Sequence, residues 1–189
     1  MTDGVRRPRK RFLVLGVVIA AVVAALLFTP VLTRQSPKGG PPHVGSVAPR
    51  FRVPRLNGSG RVGWPPAGAS RRTPEILVFF ASWCGPCRAE LPAIAAAERG
   101  IRGTRQRVSV LGVDVADPKG RGIAFVKSSG VTFPVGVDAS FAVTSGLYYF
   151  TGIPDAVAIT GNGRILDIVH GPLSVKTFSR WIHELSSGS

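Results

Sequence analysis

The stretch EILVFFASWCGPCRAELP, residues 75–92, decides how this chain folds. Its first seven residues, Glu75–Ala81, form a near-continuous apolar run of strand length, the pattern of a central strand buried on both faces. From Pro86 to about Arg99 the period changes. Cys87, Leu91, Ile94 and Ala95 recur at i, i+4, i+7 and i+8, which predicts a helix with one buried stripe. Pro92 falls inside that helix and should kink it, because its ring removes a backbone donor. Trp83, Cys84, Gly85, Pro86 and Cys87 stand at the junction between strand and helix.

Two cysteines at such a junction have a chemical use. The nucleophile is the thiolate, and a free cysteine with a pKa of about 8.5 is mostly protonated at neutral pH. Cys84 at the N-terminus of a helix faces unpaired N–H groups and the positive end of the dipole, which lowers that pKa. The spacing brings Cys87 within one turn, close enough to attack a mixed disulfide formed by Cys84. Pro86 suits the first turn, where its missing N–H would be unpaired anyway. A structural zinc site would need four ligands, and there is no second cysteine pair. The histidines, His43, His170 and His183, are dispersed and are expected at the surface or satisfied in the core. Inert cysteines are the blander alternative, but a loop this short constrains the unfolded chain very little. No metal and no cofactor beyond the Cys84–Cys87 pair is expected.

Outward from the motif, Val108–Val115 reads as a second apolar strand, Lys119–Ser129 as a helix and Phe133–Val137 as a short strand. Ala139–Gly146 is expected to be a weak helix. Asp155–Thr160 and Ile165–Val169 flank Gly161-Asn162-Gly163, a hairpin signal. Ser174 can cap a last helix with Phe178, Trp181, Ile182 and Leu185 on one face. Phe51–Leu56 fits an edge strand or hairpin arm, and Asn57–Thr73 reads as loop. The sum is an α/β domain with a mixed central sheet, parallel at first and antiparallel at one edge, flanked by helices.

The chain has 189 residues and a net charge of +14. Its N-terminus carries Arg6-Arg7-Pro8-Arg9-Lys10-Arg11 and then an apolar run from Phe12 to Phe28 that Thr29-Pro30-Val31-Leu32 extends. About 21 helical residues span roughly 30 Å, the thickness of a bilayer core. Only Arg34 and Lys38 closely follow the run, so the basic residues place the N-terminus in the cytoplasm. The expected organisation is a cytoplasmic segment 1–11, a single transmembrane signal anchor 12–33, a linker 34–43 and a globular domain 44–189. A cleaved signal peptide is the alternative, although its apolar core is usually shorter. Either way the domain works outside the cytoplasm. The remaining charge is scattered, without a nucleic-acid motif, so no nucleic-acid partner is expected. A domain of about 145 residues buries a core without disulfide staples, and a monomer is the default.

WCGPC after an apolar strand is similar to thioredoxin, and the chain over roughly residues 44–186 resembles the membrane-anchored TlpA/ResA-like thiol–disulfide oxidoreductases, with their redoxin (AhpC/TSA-like) thioredoxin fold. The resemblance runs through Val44-Gly45-Ser46-Val47-Ala48-Pro49-Arg50-Phe51, FFASWCGPCRAELP, Val110–Asp114, Phe133-Pro134-Val135 with Asp138, Gly152-Ile153-Pro154, and Asp167–Gly171. It implies a thioredoxin-like fold with Cys84 as nucleophile and Cys87 as resolving thiol. It further implies that Pro154 is a cis-proline lying against the cysteines and leaving the backbone of Ile153 free to pair with an extended substrate segment. Pro134 is then a trans proline at a strand start. Glu90 matches an acidic residue that influences the pair, by accepting a proton from Cys87 or opposing its ionisation; a solvated helix glutamate is the alternative. Trp83 is expected to pack beside the pair and shield it, with a core position as the alternative.

Two positions depart from the pattern. Val78 stands where thioredoxin has a buried aspartate, which leaves proton handling to Glu90 or solvent. Asp155 replaces the small hydroxyl residue common after the cis-proline, and its charge near the sulfurs would raise cysteine pKa values. Gly85-Pro86 is thioredoxin's dipeptide, and thioredoxin lies near −270 mV against about −120 mV for the oxidant DsbA. The motif therefore favours a reductase of protein disulfides. The resemblance implies apocytochrome c thiols as substrate, in cytochrome c maturation, and a membrane thiol-transfer protein as electron donor. A disulfide oxidase of secreted proteins is the alternative. A thiol peroxidase would share the opening motif but not its Pro-x-x-x-Thr-x-x-Cys site, and a non-catalytic apocytochrome-binding module would not need Cys84.

Overall fold

The computed structural model describes residues 40–68, 73–102, 104 and 107–188. The expected basic segment 1–11, the membrane helix 12–33 and most of the linker 34–43 lie outside them. Among the described residues no helix is long and apolar enough to cross a membrane.

Among the described residues ten elements follow one another: Val53–Pro54 (β1), Arg61–Val62 (β2), Glu75–Phe80 (β3), Gly85–Ile101 (α1), Ser109–Val115 (β4), Lys119–Ser128 (α2), Val135–Asp138 (β5), Asp155–Ile159 (β6), Ile165–His170 (β7) and Val175–Ser187 (α3). The main sheet has the order β5-β4-β3-β6-β7. β3 pairs parallel with β4, β4 parallel with β5, and β6 antiparallel with both β3 and β7. This is the mixed sheet that the alternation of apolar runs predicts. Every residue of β3 is buried, as a central strand requires.

Residue parity along β3 sorts the core into two layers. Ile76, Val78 and Phe80 face the helices, where Cys87, Leu91, Ile94 and Ala95 of α1 meet Phe178, Trp181, Ile182 and Leu185 of α3. Each such large side chain contributes about 1.5–3 kcal/mol on burial. Leu77 and Phe79 face the other way, into an aromatic layer with Phe51, Trp64, Tyr148 and Phe150. Phe79 lies 5.3 Å from Tyr148 and 5.2 Å from Phe150. Gly112 of β4 allows the close packing on the helix side, since a Cβ there would come within 2.8 Å of Phe80 and 3.0 Å of Val135. Ser174 caps α3 by accepting the Thr177 N–H.

The second layer corrects two expectations. Residues 139–146 form turns, not a helix. The Asp138 carboxylate accepts the N–H groups of Val143 and Thr144 and the Thr144 hydroxyl, and Phe141 takes a φ of +57°. The chain therefore wraps back on that carboxylate, and only isolated i→i−4 bonds form, from the Ser145 N–H to Phe141 and from the Leu147 N–H to Val143. Within the span expected as loop, Arg61–Val62 forms β2 and pairs with β1 as a hairpin. Residues 69–72 of that span lie outside those described. Gly45, ahead of this hairpin, and Leu56, inside it, bond the two margins of the sheet: Gly45 N–H to Ile165 of β7, and Leu56 N–H to Val135 of β5.

Candidate active site

α1 continues through Pro92 for its full length and begins immediately after Cys84, which is its N-cap residue. The Cys84 sulfur accepts the Cys87 N–H at 3.2 Å, so the reactive atom occupies the place usually taken by a capping oxygen. Pro86 sits in the first turn, and no acidic side chain in that turn opposes a thiolate. Cys84 and Cys87 are joined as a disulfide. Cys87 is fully buried, whereas Cys84 is 5% exposed and is the sulfur a partner can reach. Gly85 and Pro86 are both exposed, and a Cβ at Gly85 would meet nothing within 4 Å. Packing does not dictate this glycine. Trp83 is 53% exposed beside the pair, which excludes the core alternative.

Ile153 and Pro154 meet the pair from across the sheet. Their peptide bond is cis, and the Ile153 carbonyl oxygen lies 3.7 Å from the Cys84 sulfur. The only other cis bond among the described residues is Trp64–Pro65, so Pro134 is trans. Ile153 is partly exposed and Pro154 buried. Cys84, Cys87, Trp83 and Ile153 are thus brought together at the end of β3.

Glu90, three residues after Cys87 on α1, is held by a backbone bond. Its Oε2 accepts the Leu173 N–H at 2.6 Å, tying α1 to the loop before α3. It is only 9% exposed, and burial pushes its carboxyl up to about 7 although the Leu173 bond pulls the other way. It is not a solvated helix glutamate. Val78 is fully buried in the same layer as both cysteines, so β3 offers them no titratable group. Asp155 follows the parity of β6: Ala156 and Ala158 share the cysteines' layer, while Val157 and Ile159 lie in the aromatic layer. The Asp155 side chain belongs to that second side, where it bonds His170 Nδ1 at 2.8 Å beside Phe150. Burial raises its pKa, and the His170 contact opposes the rise. Its charge is directed away from the sulfurs.

Sequence reasoning did not single out Asp117 and Ser82. The Asp117 carboxylate accepts both the N–H and the hydroxyl of Ser82, two residues before Cys84, at 2.6 and 2.7 Å. Asp114 is fully buried with neither carboxyl oxygen hydrogen-bonded, and burial, with Asp117 nearby, pushes it up to about 8. The only sequence signal was two acids closing an apolar strand. Among the described residues, no group of three or more His, Cys, Asp or Glu side chains is placed to hold a metal.

Comparison with known proteins agrees with this geometry. Residues 44–166 match the AhpC/TSA family. A DsbE homologue from Paracoccus denitrificans, a thiol:disulfide interchange protein, is 34% identical over 115 residues, 59% of each chain. The thiol–disulfide oxidoreductase ResA of Oceanobacillus iheyensis is 25% identical over 188 residues, covering 98% of this chain and 94% of the relative. The crystal structure of a thioredoxin-family thiol:disulfide interchange protein from Chlorobium tepidum superposes with a TM-score of 0.63 at 23% identity, over 76% of this chain and 97% of that one. That last match speaks for the fold alone. With a thioredoxin-like fold, a cysteine pair at the head of α1 and these relatives, the chain belongs to the AhpC/TSA family and is a thiol–disulfide oxidoreductase of the ResA/DsbE type.

Proposed function

We propose that the protein reduces disulfides of protein substrates outside the cytoplasm, with Cys84 as nucleophile and Cys87 as resolving thiol. The observation that carries the exchange chemistry is the place of Cys84, capping α1 with its sulfur beside the Ile153 carbonyl while Cys87 is fully buried. In the reduced protein the Cys84 thiolate attacks one sulfur of a substrate disulfide. A new S–S bond forms, the substrate bond breaks, and the departing sulfur takes a proton from solvent. The Cys87 thiolate then attacks the Cys84 sulfur, expels the second substrate thiolate, and closes the Cys84–Cys87 disulfide. Two electrons leave the pair, and the substrate gains two thiols. The same exchange run from a membrane thiol-transfer protein restores the dithiol, so no cofactor beyond the pair is needed.

The Gly85-Pro86 dipeptide supports the reducing direction. The basic segment and apolar run at residues 6–32 support a single-pass anchor with the domain outside. The substrate class we propose is apocytochrome c thiols kept reduced for haem attachment, and the working unit a monomer. The test is the reduction potential of the pair in the full-length protein, equilibrated against glutathione and dithiothreitol. The expected value is below about −230 mV, near thioredoxin. A value above about −160 mV would overturn the reductase and point to an oxidase of secreted proteins.

A further inference from the structure

β3 and β4 run parallel with Phe80 beside Asp114, so their C-terminal ends lie abreast. Beyond β3 the chain enters the turn that carries the nucleophile, closed by the Cys84 N–H on the Ala81 carbonyl at 3.2 Å. Beyond β4 it turns sharply at Ala116, whose φ is +52°. Residues with a Cβ rarely take this left-handed conformation, and a non-glycine residue held there marks a position its surroundings enforce. The Ala116 N–H is fixed on the Asp138 carbonyl at 3.2 Å. The next side chain, Asp117, is 8% exposed and turns back across the gap between the strand ends. Both of its oxygens bond one residue: Oδ2 accepts the Ser82 N–H and Oδ1 the Ser82 hydroxyl. Ser82 lies past the last paired residue of β3, where the sheet no longer holds the backbone.

We infer that Asp117 is a positioning residue for the exchange reaction, gripping Ser82 so that the turn presents the Cys84 sulfur to its partner disulfide in one orientation. In-line attack on a disulfide needs the sulfur aligned, and a small misplacement is costly in rate. This assignment rests on thiol–disulfide exchange at Cys84 and not on its direction.

The test is the rate at which the reduced full-length protein attacks insulin disulfides, followed from about pH 5 to about pH 9 together with the ultraviolet absorbance of the Cys84 thiolate. Asp117→Ala should lose about ten-fold in rate even where the thiolate is fully formed. Ser82→Ala, which gives up only the hydroxyl bond, should lose about two- to three-fold, and Asp117→Asn, which keeps an acceptor oxygen, should recover part of the loss. A purely structural role would lower the unfolding midpoint and leave the rate at full ionisation unchanged, which would overturn the assignment. So would an Asp117→Asn protein as slow as Asp117→Ala with only the thiolate pKa displaced, because charge and not grip would then be at work. If Asp117→Ala does not fold, Ser82→Ala decides alone, and a wild-type rate there sinks the idea. Absence of exchange in the wild-type protein would overturn the exchange reading as well, so the two failures are distinct.

Discussion

Replacing Glu90 by glutamine isolates the energetics of the carboxyl that ties the cysteine helix to the loop before α3. The carboxyl is held at about 7 against an ordinary 4.5, and burial is the larger cause. A raised pKa in the folded state contributes stability that is fully present below the unfolded value and is lost as pH rises through the folded one. The window therefore runs from about 4.5 to just above 7. At about 1.4 kcal/mol per pH unit between the two values, ionisation costs the fold about 3 kcal/mol by pH 8. Glutamine keeps an oxygen for the Leu173 N–H and never ionises. At pH 5 the variant and wild type should agree within about 1 kcal/mol. At pH 8 the variant should be the more stable by up to about 3 kcal/mol. The assay is urea unfolding of the oxidised protein, in which the cysteines do not titrate. Parallel stability curves from pH 5 to pH 8 would refute the reasoning, because the carboxyl would then ionise as readily folded as unfolded.

Two further outcomes follow from the geometry. Cys87→Ser should trap a mixed disulfide between Cys84 and substrate, visible by mass spectrometry, while Cys84→Ser should trap none; the opposite pattern would exchange their roles. Gly112→Ala should destabilise the domain by about 1–3 kcal/mol in urea, through overpacking against Phe80 and Val135, and an unchanged midpoint would mean the sheet yields more than its packing implies.

Local signals carried most of the architecture. The β3–α1 junction, the Gly161-Asn162-Gly163 turn and the Ser174 cap each depend on neighbours in the chain, and each lies where its residues predict. Pro154 was legible only through resemblance. Residues 139–146 misled because a few apolar side chains at helical spacing also suit a turn wound on a carboxylate. The decisive acceptor, Asp138, precedes the segment and announces nothing by itself. The direction of Asp155 required the parity of β6, which no residue of that strand declares alone. Asp117 and Ser82 are 35 positions apart and meet only because two parallel strands end side by side. Such a contact has no sequence signature.

The atom that reacts is also the atom that caps α1. Every step of the cycle therefore changes the helix's own N-terminus: a thiolate accepts the Cys87 N–H strongly, and a sulfur already bonded to another sulfur accepts it weakly. Redox state and fold stability become two readings of one thermodynamic cycle. Any preference of the helix for the dithiol over the disulfide appears undiminished as a change in potential, at about 30 mV for each 1.4 kcal/mol. The first turn of α1 is, in that sense, the electrode on which this protein's working voltage is set.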